Sequence, residues 1–182
     1  MRIAIFGWGS LVWNKRDLSI RGRFKTGGPK LPLEFSRKSS DGRLTLIIDE
    51  SHGMPSVPTR YAISRFQHLE DAICDLQHRE GTGPKNIGFM RTGGEEQKPP
   101  KSKVAKKAIA DWLKGNQKTI DAVIWTDLGP NESFLFSCEA VERHLKSLRG
   151  VCREKALEYL VRAPKEVKTP LRNQMIQWLK KL

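Results

Sequence analysis

Six consecutive residues near the start of the chain, Phe6-Gly7-Trp8-Gly9-Ser10-Leu11, could bind an anion, and one distant acid, Glu80, could move a proton. The six follow an apolar strand pattern, Arg2-Ile3-Ala4-Ile5. Gly7 and Gly9 lack a Cβ, so the backbone there is free to aim successive N–H groups into one concavity. A concavity of that kind suits a small carboxylate. A tight strand-to-loop turn without a ligand has the same composition, so the loop alone does not decide between the two.

Glu80 draws notice through its periodicity. Phe66, Leu69, Ile73 and Leu76 recur at helical spacing, and one further step of four reaches Glu80. A helix puts these positions on one face, so Glu80 points toward the core or a cleft in it. It also falls in the last turn before the stop signal Gly81. The negative end of the helix dipole and partial burial both disfavour an ionised acid there. Both raise its pKa toward the range useful for proton transfer. Arg79 would oppose the shift by pairing with it, although adjacent helix residues point in different directions. The competing picture is a frayed helix end with Glu80 turned outward into a surface ion pair.

The elements that must position these groups follow from pattern. Residues 2–6 read as a strand running into the loop, and 31–35, 44–48 and 57–63 as further strands, the 44–48 strand opened by the turn signal Asp41-Gly42. Ser64-Arg65-Phe66-Gln67 has the form of a capping box and predicts a helix start at that point. Residues 93–100 read as a polar loop, 102–113 as a helix and 120–126 as a strand. Ser137 caps a helix carrying Val141, Leu145 and Leu148, and Thr169-Pro170 opens another with Leu171, Met175, Trp178 and Leu182. Strands dominate the front and helices the back, without regular βαβ alternation. The expectation is one α+β domain over 1–182: a small curved mixed sheet or barrel flanked by helices. Its core spans 1–130 with a loop-rich insertion around 92–101, and its C-terminal part, 137–182, is helical.

Composition narrows the classes. Of the 182 residues, 38% are apolar and 29% charged, which suits a globular domain with a real core rather than a disordered chain. No stretch approaches the roughly 18–20 apolar residues of a membrane span. No basic region followed by a long apolar one opens the sequence, so a secretory leader is not expected. Cys74, Cys138 and Cys152 lack metal-ligand spacing and fit reduced thiols in a cytoplasmic protein. The net charge is +13, densest from Lys98 to Lys118. Those basic residues have no interleaved aromatics and no zinc-finger, KH or RRM signature, so a solvated basic surface is expected in preference to a nucleic-acid site.

Three sharper readings fail on spacing. Gly7-Trp8-Gly9-Ser10-Leu11-Val12 approaches the dinucleotide fingerprint, but Val12 stands where a small residue is needed and no apolar helix follows. His52, His68, His78 and His144 show no paired zinc spacing. Ser10 has no histidine set by sequence to activate it, and so is not a nucleophile candidate.

Taken together, the loop and the acid resemble the gamma-glutamylcyclotransferase-like family, including its ChaC-type glutathione-degrading branch. The family loop looks like F-G-Y-G-S-L followed shortly by Trp; Phe6 to Leu11 and Trp13 match it, with Trp8 in place of the usual tyrosine. The family's catalytic glutamate follows a short helix in an Arg-Glu pair, as Arg79-Glu80 does. Weaker similarity covers Arg37 to Ser39 and Gly150 to Leu160, which looks like the helical C-terminal part of the ChaC-type branch; the segment around Asp41-Gly42-Arg43 lacks the family's fuller stretch.

The resemblance implies an enzyme releasing 5-oxoproline from a small gamma-glutamyl amine or peptide. Gly7, Trp8, Gly9, Ser10 and Leu11 would hold the substrate's α-carboxylate, and Glu80 would act as general acid and base. No metal or organic cofactor is implied. The alternative is a non-catalytic module of the same fold that uses its basic surface to contact nucleic acid or an acidic partner.

Overall fold

In a computed structural model, which describes residues 1–94, 97–130 and 136–181, the chain is an α+β structure built on a mixed five-stranded sheet. Among the described residues seven strands form: β1 (Ile3–Gly7), β2 (Ile20–Leu31), β3 (Leu33–Lys38), β4 (Leu44–Ile48), β5 (Val57–Ser64), β6 (Ile87–Arg91) and β7 (Ala122–Thr126). Five helices accompany them: α1 (Leu69–Glu80), α2 (Lys103–Asn116), α3 (Cys138–Ser147), α4 (Gly150–Arg162) and α5 (Arg172–Lys180). The sheet order is β2-β5-β1-β7-β6, with β3 and β4 forming a separate two-stranded ribbon, so the sheet does not close into a barrel.

β1 lies at the centre, antiparallel to β5 and parallel to β7. Covered on both faces, it is buried along its whole length, which is why it reads as a continuous apolar run. Alternation sorts its side chains. Ile3 and Ile5 join Leu69, Ala72, Leu76 and Ile124 in a core under α1. Ala4 and Phe6 face the larger core with Val123, Trp125, the ribbon, α2 and the C-terminal helices.

Several boundaries differ from the sequence expectation. α1 begins at Leu69, five residues after the proposed cap Ser64: Ser64 ends β5, its hydroxyl accepts from Phe66 N–H at 3.1 Å, and Phe66 lies outside the helix. The N-cap is His68, without a side-chain cap. The buried face of α1 is Leu69, Ala72, Leu76 and Arg79. The strand expected over 31–35 is divided at Pro32 between β2 and β3.

The pattern predicts no strand over 20–30, because Gly22, Gly27, Gly28 and Pro29 resemble turn residues, yet β2 runs through them. They are accommodated because β2 is an edge strand whose pairing with β5 shifts register twice, as bulged edges do. The Ser137 and Ser102 caps form as their residue types predict, accepting from Ala140 N–H at 3.1 Å and Ala105 N–H at 3.0 Å. Leu182 lies outside the described residues, as do Glu95 and Glu96 of the polar loop. Among the described residues no helix is long and apolar enough to cross a membrane.

Two buried polar groups fix the C-terminal helices. Glu34 in β3 accepts from Phe35 N–H at 2.8 Å and from Leu171 N–H at 3.4 Å, tying the ribbon to the start of α5. Burial lifts its pKa above the ordinary glutamate value. Arg172, 8% exposed, donates to Leu160 O (2.9 and 3.1 Å), Pro164 O (2.7 Å), Val167 O (2.8 Å) and Ala163 O. It thereby closes the open carbonyls at the end of α4.

Candidate functional site

The loop after β1 tightens into one 3-10 turn over Ser10–Val12. Val12 N–H donates to Gly9 O at 3.0 Å and Asn14 N–H to Ser10 O at 2.8 Å. The amides of Gly9 and Leu11 have no backbone acceptor among the described residues. The glycines are needed for space and not for unusual backbone angles. Gly9 has φ −108°, outside the left-handed region, yet a Cβ there would lie 2.2 Å from the Tyr159 hydroxyl. A Cβ on Gly7 would lie 2.7 Å from the Phe24 ring.

Trp8 and Leu11 turn their side chains into the two cores. The Trp8 indole donates to Leu46 O at 3.1 Å, binding the loop to β4. Trp8 therefore anchors the loop and presents no polar group of its own beyond that bond.

α1 ends where its pattern predicted. Gly81 takes φ +61°, with Gly81 N–H on His78 O and Thr82 N–H on Gln77 O, a Schellman stop that suits glycine. Glu80 is thus the last helical residue, and its side chain is 17% exposed, which removes the outward-facing alternative. Arg79 does pair with it, despite adjacency: Nη1 donates to Oε1 at 2.6 Å. The same guanidinium reaches Ser10 Oγ at 3.4 Å and Asn14 O, so one buried arginine ties the acid to the loop. Burial raises the Glu80 pKa, and the positive charges of Arg79 and Arg16 limit the rise.

These groups line a single pocket of about 430 Å³. Gly7, Trp8, Gly9, Ser10 and Leu11 all border it, and so does Glu80. The opposite contributions come from the ribbon (Arg37, Arg43, Thr45, Leu46), from Arg16, and from Tyr159 of α4.

Tyr159 carried no chemical reading in the sequence. It is buried, and burial pushes its pKa up to about 12, with backbone hydrogen bonds from Leu46 and Ser10 opposing the rise. At neutral pH it is a hydroxyl donor held against the loop, the polar group that tryptophan at position 8 does not provide. In sequence it belongs only to the Gly150–Leu160 segment of weaker resemblance, which assigns it no role.

The Gly9–Tyr159 contact gives a direct check. Gly9→Ala is expected to destabilise the protein by about 1–3 kcal/mol through overpacking. Adding Tyr159→Phe should recover part of this, since the nearest remaining ring carbon would be 3.3 Å away. Thermal denaturation of the two single variants and the double variant measures the coupling. Strict additivity would contradict the contact.

Among the described residues no group of three or more His, Cys, Asp or Glu is arranged to hold a metal ion. The three cysteines are exposed and unpaired. The chain matches no family model, no curated protein and no solved structure.

Proposed function

We propose that the pocket cyclises gamma-glutamyl compounds, releasing 5-oxoproline and an amine, and that the fold is of the gamma-glutamylcyclotransferase-like type. The observation that carries this reading is the meeting of the Gly7–Leu11 loop and a part-buried Glu80 in one pocket, although they are far apart in sequence. The amides of Gly9 and Leu11 suit the substrate's α-carboxylate, which curls the chain so that the α-nitrogen approaches its own γ-carbonyl carbon. The Glu80 carboxylate takes a proton from the α-ammonium. The freed amine attacks, the C–N bond of a five-membered lactam forms, and the amide C–N bond breaks. Two protons pass in all from the α-nitrogen to the departing nitrogen, and Glu80 relays them. No water is consumed. The Tyr159 hydroxyl, protonated at neutral pH, is a donor for the oxygen that becomes negative. With thiols that stay reduced there, the cytosol is the fitting compartment.

The test is release of 5-oxoproline from gamma-glutamyl amino acids, glutathione and gamma-glutamyl amines. Release from any one of them supports the reading; none across the panel counts against it.

A second reading draws on charge. Arg21, Arg23, Lys25 and Lys30 are exposed along the β2 edge, and α2, with exposed Lys103, Lys106, Lys107 and Lys114, packs beside it through Trp112 Nε1 on Gly27 O at 2.7 Å. A silent panel accompanied by RNA binding that weakens steeply with salt would favour a polyanion-binding module on this face.

A further inference from the structure

Arg79 reaches two parts of the pocket at once. Its Nη1 donates to Glu80 Oε1 at 2.6 Å, and its Nη2 donates to Ser10 Oγ at 3.4 Å and to Asn14 O. The side chain is 5% exposed. Its Nε–H is buried without an acceptor among the described residues, and Glu80 is the only carboxylate among them in ion-pair contact with it. One enclosed positive charge is thus balanced by one acid, while its far arm rests on the loop. Ser10 lies between Gly9 and Leu11, whose amides receive the substrate's α-carboxylate in the proposed reaction.

The other charged or titratable groups lining the pocket are Arg16, Arg37 and Arg43, which stay positive, and Tyr159, which its pKa of about 12 keeps protonated. Among the described lining residues Glu80 alone changes charge between acid and neutral pH. An opposite charge held close keeps an acid ionised, and a like charge nearby makes it hold its proton. A carboxylate on the loop is a second anion beside the same enclosed cation. It draws on the charge that keeps Glu80 ionised.

Resting on the gamma-glutamyl reading, we propose that Arg79 is a positioning residue that couples the loop to the base. In the free protein it keeps Glu80 ionised and weakly basic. The substrate's own α-carboxylate, by engaging the far arm of the same guanidinium, makes Glu80 a stronger base as the α-ammonium arrives to give up its proton. Coupling of this kind is reciprocal: neutralising Glu80 must strengthen carboxylate binding by the same factor.

The probe is glutaramate, which carries the carboxylate and the γ-amide but no α-amine and so cannot cyclise. Butanamide, which lacks the carboxylate as well, is the control. NMR titration of the full chain gives both Kd values. At neutral pH Glu80→Gln should bind glutaramate about tenfold more tightly than the parent, the equivalent of one pKa unit, and butanamide equally well. The parent's affinity for glutaramate should rise as pH falls from about 8 to about 5.5, where the ligand stays ionised, while that of Glu80→Gln stays flat. Adding Arg79→Met to Glu80→Gln, with folding checked by circular dichroism, should abolish the gain. Arg79→Met alone should move the midpoint of the pH dependence upward, which loss of a merely structural contact would not do.

Equal glutaramate Kd in the parent and Glu80→Gln, or a parent Kd flat with pH, overturns the proposal, as does glutaramate bound by neither protein. These comparisons leave Arg79 in place and decide the matter even where Arg79→Met does not fold. A gain that survives in the double variant also overturns it. The reaction is read separately: 5-oxoproline release with a flat Kd removes the coupling alone, and a coupled Kd with a silent panel removes the cyclisation alone.

Discussion

Glu80→Gln should leave a folded protein that has lost at least about a thousandfold in 5-oxoproline release, within the range that general acid–base groups contribute. The substitution keeps the size of the side chain and an oxygen able to accept from Arg79 Nη1, so the buried guanidinium is not stripped of its contact. It removes the one property the reaction uses, the capacity to take up a proton and return it. Because burial raises the Glu80 pKa, activity that depends on the carboxylate must fall as pH drops through that raised value. The acid limb of kcat/KM for the parent therefore lies above 4.5, the ordinary glutamate value. The same sign governs stability: a carboxyl whose folded pKa is raised favours the folded state most below pH 4.5 and loses that contribution as pH rises through the folded pKa. Kinetics across pH, with thermal denaturation alongside, check both points. A folded Glu80→Gln protein retaining turnover within tenfold of the parent would remove Glu80 from the mechanism.

Arg172→Met is expected to be the most damaging single change outside the pocket. The side chain is buried and satisfies carbonyls of Leu160, Ala163, Pro164 and Val167 at once. Methionine fills similar space but leaves the carbonyls of Leu160, Ala163 and Val167 without this donor, while Pro164 O keeps Val167 N–H at 2.9 Å, and orphaned buried acceptors each destabilise by about 1–3 kcal/mol. Allowing for relaxation and water entry, about 3–5 kcal/mol overall is expected, roughly 6–20 °C in Tm for a chain of this size. Arg172→Lys should recover only part, because an ammonium cannot reach four carbonyls from one position. Differential scanning calorimetry reads the effect. A Tm shift under about 3 °C for Arg172→Met would show that α4 ends securely without this residue.

The legible parts of this protein are those whose cause is local. The apolar run of β1 and the glycine loop could be read because a central strand and a crowded turn each leave a mark on composition. The end of α1 was readable from Gly81, whose left-handed backbone suits glycine and little else. The start of α1 was not: Ser64 and Gln67 imitate a cap while the chain is still finishing β5. β2 was obscured because an edge strand needs only one hydrogen-bonded side and tolerates glycine, proline and charge. Tyr159, Arg16 and Arg37 could not be assigned to a site from sequence at all. Their roles arise from long-range packing, in which a helix near the C-terminus and a two-stranded ribbon close over a loop near the N-terminus. The need for glycine at position 9 is hidden from sequence for the same cause, since the neighbour that forbids a Cβ is Tyr159.

The placement of Tyr159 against Gly9 has a consequence for synthesis. A ribosome delivers the loop first, then Glu80, and only about 80 residues later the tyrosine that walls their pocket. At roughly 5–20 residues per second, the interval is about 4–16 seconds. During it the sheet lacks the helical cover supplied by α4, and Trp13 and Phe35, ring neighbours of Tyr159 in the finished protein, have nothing on that side. The nascent chain thus holds its anion loop and its acid before it holds a closed cavity, and competence arrives with the last helices to emerge.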